Sequence, residues 1–565
     1  MSGQTSGQPS DLLDLIPVNA EIVVAVGAIP AELVAQYYRI NPRVQWINLA
    51  TPDLSYSDLQ SETVDCLVWD ATLIPDRHPV EHSDFEHSNL EYFNFEYFNV
   101  EQLPEILHRL RQGGQVLANI PNPQYWRNIV NLVRGKLESF PRLSGLTLGM
   151  IQNRFQEAGL QIYEIQTRGQ KDQEFQQFQQ LLQPMIQALG LEPSRFATQT
   201  AAQRYIVRAI KSTQPPRRLL IQTLMMAPTA CDRVRVLEPD QFSRTIPGVR
   251  AVAAAKAWPQ VAPVPGEEKV FIWQRTIMSR GEHLPRLQQL LQQGYLIIAE
   301  IDDNPLRRPE YAENHYLSYR GCHGVQTSTE PLATFLRQLN PNVAVFQNQL
   351  AYLPPLDMAK KVDPEKVNQA RRVTLFFGAL NRERDWQPIM AALNRVLVDY
   401  QDQVQVKVIH DRQFFDRLAI PQKDFEPFCS YDRYQAILQT CDLSLLPLAP
   451  TTVNLMKSDL KFIECAGHGV AVLASPTVYQ GSIIDGETGL IYRTVKQFEA
   501  QLRELINHHE LRQKMATNAY HWVRDQRLLC QHYHHRRDWY LQLRDQLPQL
   551  NRELRDRVPE LFTES

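Results

Sequence analysis

Six side chains able to bind or neutralise a charged ligand stand within eleven positions: Asn454, Lys457, Ser458, Asp459, Lys461 and Glu464, at the start of an apolar run that reads as a helix. If Ser458 caps that helix, Lys461 falls in its first turn. A helix N-terminus carries about half a positive charge and favours carboxylates, so a lysine there is misplaced in an empty site. Lys457 lies four residues before Lys461 and adds a mildly repulsive pair. A dianion resolves both conflicts, because helix N–H groups and two ammonium groups then converge on it. Glu464, three residues beyond Lys461, shares its face and can accept hydrogen bonds from ribose hydroxyls. The alternative is a solvated lysine pair balanced locally by Asp459.

A second basic turn follows the strand-like run VTLFF, which ends at Gly378. Asn381 is placed to cap the next helix, and Arg382 and Arg384 crowd its N-terminus. In open α/β sheets ligands bind at the carboxyl ends of strands, where both segments are expected. A nearly neutral Arg/Glu surface cluster is the competing reading.

Three further features carry less. The run Glu300–Asp303 (EIDD) has the form of a D-x-D metal motif, yet it closes a strand and no other carboxylate cluster accompanies it. Loop hydrogen bonding or acceptor contact is its expected use, and no metal is expected. In Thr229–Arg235 (TACDRVR), Arg233 and Arg235 are candidates for holding an anionic or hydroxyl-rich acceptor, with helix-surface arginines the alternative. His323 and the segment Thr327–Glu330 are candidates of the same kind.

These residues need rigid elements to hold them. Short apolar runs alternate with helical patterns from Ala20 onward: strands at 21–26, 44–49, 64–69 and 114–120, with helices at 31–40 and 103–111. The alternation resumes at 218–224 and again at 373–377, which predicts parallel sheets with helices on their faces. At 565 residues the chain is too long for one core. We expect a polar tail at 1–17, an α/β domain at 18–212, two more α/β domains at 213–366 and 367–535, and a helical segment at 536–565. Four tandem five-residue units at 81–100 (EHSDF, EHSNL, EYFNF, EYFNV) interrupt the first domain, as a partner platform or as an insertion without a role. The segment 169–196 reads as a glutamine-rich helical annex.

Net charge is −3, from 59 Lys and Arg against 62 Asp and Glu, which gives no bulk-electrostatic reason to expect nucleic acid. The seven cysteines show no C-x-x-C and read as reduced thiols, hence a cytosolic chain without a zinc framework. The polar start lacks the apolar core of a signal peptide.

Gly378–Trp386, then NLMKSDLKFIECAGHGVAVLASP, then DGETGLIY, resemble the donor-binding domain of retaining GT-B glycosyltransferases of the family-4 type. The resemblance covers about 219–537. It implies two Rossmann-like domains across a cleft, with an acceptor domain at 213–366 and a nucleotide-sugar domain at 367–535. By position, Arg384 falls where that family has its diphosphate-binding lysine, and Lys461 is a second phosphate contact. Glu464 matches the second glutamate of the family's E-x7-E element, which holds the ribose; Met456 stands at the first, and Ala379 where many members carry arginine. Gly378, Asn381, Arg382, Asn454, Lys457, Ser458 and Asp459 complete the implied donor site. The activity implied is metal-independent transfer of a sugar from a UDP- or GDP-linked donor to an envelope glycan, lipid-linked or protein acceptor, in the cytosol or at the inner membrane face.

The runs IVVAVGAIPAELV, VDCLVWDATLIP and LPEILHRLRQGGQVLANIPNPQYWRNIVNLVRGK resemble class I S-adenosylmethionine methyltransferases over about 20–210. The cofactor loop departs from that family: Ala25, Gly27, Ile29 and Ala31 stand where it has an acid and three glycines, and Asn48–Leu49 replaces the ribose-binding acid. The expectation is a methyltransferase-like domain without cofactor, serving to dock a partner protein or position the acceptor. A bifunctional enzyme and a non-catalytic scaffold are the alternatives.

Overall fold

The computed structural model describes residues 10–27, 29–49, 60–70, 107–136, 147–169, 171–226, 230–356 and 372–563. The five-residue repeats at 81–100 lie outside them. The chain divides into two compact units, 1–218 with 244–248, and 219–243 with 249–565.

The first unit is built on β1 (Ile22–Val26), β2 (Gln45–Asn48), β3 (Val64–Asp70), β4 (Leu110–Pro121), β5 (Leu160–Arg168) and β6 (Arg204–Lys211). They lie in the order β2-β1-β3-β4-β6-β5. Only β6 runs antiparallel to its neighbours. All seven residues of β3 are buried, as expected of a central parallel strand covered on both faces. Val24, Leu67, Val116 and Val207 meet in the core. The helix expected at 103–111 is corrected: the described part is helical only at 107–109, and β4 begins at Leu110. The annex forms two helices, Gln173–Ala188 and Pro193–Ala201.

The second unit holds two six-stranded parallel sheets. Its first lobe contains β7 (Leu219–Met225), β8 (Val249–Ala255), β9 (Glu268–Gln274), β10 (Leu296–Glu300), β11 (Gly324–Thr327) and β12 (Val343–Val345), ordered β12-β11-β10-β9-β7-β8. The second lobe contains β13 (Val373–Gly378), β14 (Val404–Ile409), β15 (Lys423–Glu426), β16 (Leu443–Leu446), β17 (Ala471–Ala474) and β18 (Leu490–Ile491), ordered β15-β14-β13-β16-β17-β18. That is the 3-2-1-4-5-6 order of a Rossmann sheet, and the first lobe follows the related doubly wound 2-1-3-4-5 pattern with one more strand. The unit is a GT-B-like double-Rossmann fold, as the resemblance implied.

The terminal helices belong to the first lobe instead of standing apart from it. Leu554, Val558 and Leu561 are buried among Phe271, Leu287 and Tyr311. Tyr540 Oη donates to Gln326 Oε1 at 2.6 Å, and Arg557 Nη2 to the Cys322 carbonyl at 2.7 Å. Truncating a buried leucine such as Leu554 costs about 2–5 kcal/mol. Among the described residues no helix is long and apolar enough to cross a membrane.

Candidate functional site

In the second lobe the strand order reverses between neighbouring β13 and β16, the place where doubly wound sheets form their crevice at the strands' carboxyl ends. The helix Glu383–Asp399 follows β13, and Leu460–Gly467 follows β16 after a long loop. Hydrogen bonds stitch the two loops together. The Asp385 carboxylate accepts from the Ala449 amide at 3.0 Å and from Asn454 Nδ2 at 2.8 Å. Arg382 Nη1 donates to Asp385 Oδ2 and to Asn454 Oδ1, each at 3.1 Å. Arg382 and Asn454 therefore hold the crevice walls by binding one another. Asn381 adopts a left-handed φ of 56°, which asparagine tolerates, and the helix cap falls on Arg382, not on Asn381 as expected. Gly378 is needed for space: a Cβ there would lie 2.6 Å from the Phe376 ring. Arg384 is exposed and has no hydrogen-bond or ion-pair partner among the described residues.

The helix Leu460–Gly467 starts one residue later than expected. Its cap is Asp459, without a side-chain cap bond, and not Ser458. The Asp459 carboxylate is taken by Arg527, whose two terminal nitrogens donate at 2.6 and 2.8 Å. Ser458 Oγ accepts from Asn348 Nδ2 at 2.8 Å. Lys457 Nζ reaches Asp303 Oδ1 of the first lobe at 3.2 Å. Burial holds the Lys457 ammonium below its usual range against the pull of Asp303, with Arg382 adding to the effect. Burial works against ionisation of Asp303, but Lys457 and Arg307 hold its carboxyl low.

Lys461 and Glu464 stay together on one face. Lys461 Nζ lies 4.4 Å above the Tyr434 ring, 3.2 Å from its hydroxyl and 3.8 Å from Glu464 Oε2. Buried Glu464 accepts from Tyr431 Oη at 2.9 Å and Tyr434 Oη at 3.0 Å. A carboxylate offers roughly four lone-pair sites, so acceptor capacity remains. Burial, then the Glu464 charge, raise both phenols well above their ordinary range. Beside them His410, with φ of 74°, stacks on Phe428 at 5.0 Å with planes 18° apart. Phe428 is 71% exposed, which makes a flat apolar step beside the polar cluster. Burial, then Lys461, depress the His410 imidazole. Sequence reasoning missed these four aromatic residues; for Phe428, Tyr431 and Tyr434 the available signal was the aromatic density of FEPFCSYDRY (425–434).

From the first lobe Arg233 reaches across. Its Nε donates to Glu238 at 3.1 Å, its Nη1 to Asp432 at 2.5 Å, and its guanidinium lies 5.5 Å over the Tyr431 ring. Burial pushes Glu238 up to about 7, with Arg233 opposing. Arg235 does not face the cleft: it is 1% exposed and bound to Glu300 at 2.8 and 3.3 Å and to Asn348 at 3.0 Å. His323 is also placed in the core, Nδ1 accepting from the Ile297 amide at 2.8 Å and Nε2 3.0 Å from Asn551 Oδ1. Burial depresses its imidazole to about 4. The carboxylates of EIDD are each occupied: Glu300 by Arg235, Asp302 by Arg275 at 2.6 Å, Asp303 by Lys457. Among the described residues no group of three or more His, Cys, Asp or Glu side chains is arranged to hold a metal ion. Thr329 caps the helix Glu330–Arg337 and donates to the Met456 carbonyl at 2.9 Å, tying the lobes together.

In the first unit, Gly27 has φ of 101°, and a Cβ there would meet the Asp70 carbonyl at 2.2 Å. This glycine serves the close approach of two strand ends. Ile29 is buried, and the helix Ala31–Ile40 begins behind Pro30 without a side-chain cap.

A family model described as "Glycosyl transferase-like" matches residues 384–542. No curated protein sequence matches the chain significantly. Among solved structures, a variant of S. aureus TarM in complex with fondaparinux, α-GlcNAc-glycerol and UDP is similar at 10% identity and TM-score 0.36, over 49% of this chain and 55% of that one. The match thus spans about half the length of TarM. Anabaena HepE in complex with UDP and glucose is similar at 13% identity and TM-score 0.41, over 57% of this chain and 99% of that one. Sucrose-phosphate synthase from Thermosynechococcus elongatus gives 12% identity and TM-score 0.40, over 59% and 99%.

Proposed function

We propose that the second unit is a retaining, metal-independent glycosyltransferase that takes a UDP- or GDP-linked sugar and passes the sugar to a glycan, lipid-linked or protein acceptor. One observation carries this reading. At the switch point of a Rossmann sheet, Arg384 and Lys461 are, among the described residues, cations on the crevice edge not tied to a carboxylate at hydrogen-bond distance. Departure of the nucleotide builds negative charge on its diphosphate while the sugar becomes oxocarbenium-like. Cations and helix N–H groups fixed there stabilise that charge by a few kcal/mol each. Glu464 takes the ribose hydroxyls through its remaining lone pairs, and the Phe428–His410 step supports the base. Arg233 lines the acceptor side. Work in the cytosol or at the inner membrane face suits this donor chemistry.

A thermal-shift series with UDP, GDP and their sugars tests the proposal, because a ligand that prefers the folded state raises the melting temperature. We expect one base series to stabilise the protein, and Lys461→Ala to abolish that shift and lower slow donor hydrolysis about a hundredfold. No shift with any member would overturn the reading.

The first unit is proposed to be methyltransferase-like without cofactor, docking a partner or positioning the acceptor; the Gly27–Asp70 approach supports this. Calorimetry detecting S-adenosylmethionine binding would overturn it.

A further inference from the structure

A pocket of about 530 Å³, lined by none of Arg384, Lys461 and Glu464, opens where the end of β12 and residues 346–349 meet the loop at 481–482 and the helices His509–Gln526, Leu529–His532 and His534–Asp545. Its lining includes Arg527, Arg536, His532, His535, Gln347 and Gln349, and no Asp or Glu. Arg527 is neutralised by Asp459. Arg536 has no ion-pair partner among the described residues. It is 8% exposed, yet its one hydrogen bond goes from Nη1 to the Arg235 carbonyl at 2.8 Å, with its guanidinium 5.4 Å over the Phe346 ring. The carboxylates nearest in effect, Glu300 and Asp240, act through space, and Glu300 is held by Arg235. A buried guanidinium lacking an ionic partner is costly, and arginine recognises phosphate through its planar fork. Side-chain amides suit hydroxyl groups, and the volume falls in the ~300–1,000 Å³ range of small-molecule sites.

We propose that this pocket binds a sugar phosphate, or a similar hydroxylated phosphate monoester, with Arg536 on the phosphate and Gln347 and Gln349 on hydroxyls. Because the pocket touches both lobes and the segment joining them, its occupant acts on their relative setting and not on the transferred group. The inference stands apart from the donor reading.

Isothermal titration of the full chain with glucose 6-phosphate, and separately with inorganic phosphate, tests it. We expect one site per chain that binds the sugar phosphate more tightly than phosphate. Arg536→Gln should weaken it about tenfold or more, and Lys461→Ala should leave it unchanged. A melting temperature matching wild type establishes that Arg536→Gln folds. If it does not, the double variant His532→Ala with His535→Ala, at half-buried and exposed positions, decides by weakening binding severalfold. Absence of binding at millimolar ligand, binding indifferent to these variants, or binding lost in Lys461→Ala would overturn the proposal, the last assigning the ligand to the crevice.

Discussion

The two lobes of the second unit carry similar sheets, but the arginines that follow strands in the first lobe and the cations at the helix starts of the second are used differently. In the first lobe Arg235 is clamped by Glu300, Arg275 by Asp302, and Arg233 by Glu238 and Asp432. In the second lobe Arg382 and Lys457 are clamped too, by Asp385 and Asp303, but Arg384 has no carboxylate partner among the described residues and Lys461 rests on an aromatic ring with Glu464 at 3.8 Å. A charge already bound to a buried carboxylate fixes the fold; a charge left open at a helix start is available to a ligand. The first lobe's arginines thus serve as scaffold, while the second lobe uses some of its cations as scaffold and leaves Arg384 and Lys461 for grip, although either lobe's sequence offers arginines after a strand.

The sharpest way to break this contrast is to remove a clamped cation. Arg235→Ala should destabilise the protein by about 3–5 kcal/mol, since Glu300 is left charged and buried, and urea unfolding measures it. Unchanged stability would remove the scaffold role. Next comes acid. His323 is depressed to about 4 from an ordinary 6.5, so its neutral form is the one the fold prefers. Stability from this group is full above pH ~6.5 and is lost as pH falls through the folded value, up to about 3 kcal/mol. Unfolding at pH 7 and pH 4.5 should show the wild type losing more than His323→Gln. In the second lobe the loss should fall on ligand and not on fold: Lys461→Ala should lower donor hydrolysis about a hundredfold with an unchanged melting temperature. Arg384→Ala, farther into solvent, should weaken nucleotide binding by about tenfold. If it instead melts the protein, the division between lobes fails.

The parts of this arrangement legible in the sequence are those set by local chemistry. Strands β1, β3, β7 and β13 fall within one residue of the bounds their apolar runs predict. The alanine-rich β8, the polar β15 at a sheet edge, and the mixed β5 and β6 escaped, because their strand character comes from sheet neighbours more than from their own residues. At the site, the pairing of Lys461 with Glu464 followed from helical spacing. The fates of Lys457, Ser458 and Asp459 did not, since Asp303, Asn348 and Arg527 lie 68–154 residues away in the chain. Crowded charge announced a functional region without saying which members would be consumed in holding it together.

The closing helices of the chain complete the core begun by β7. During synthesis the β7–β12 lobe must therefore wait, its apolar face around Phe271 and Leu287 uncovered, until residues 550–561 emerge, while the β13–β18 lobe finishes ahead of it. Ribosome-bound chains halted before that point should be the ones that chaperones hold.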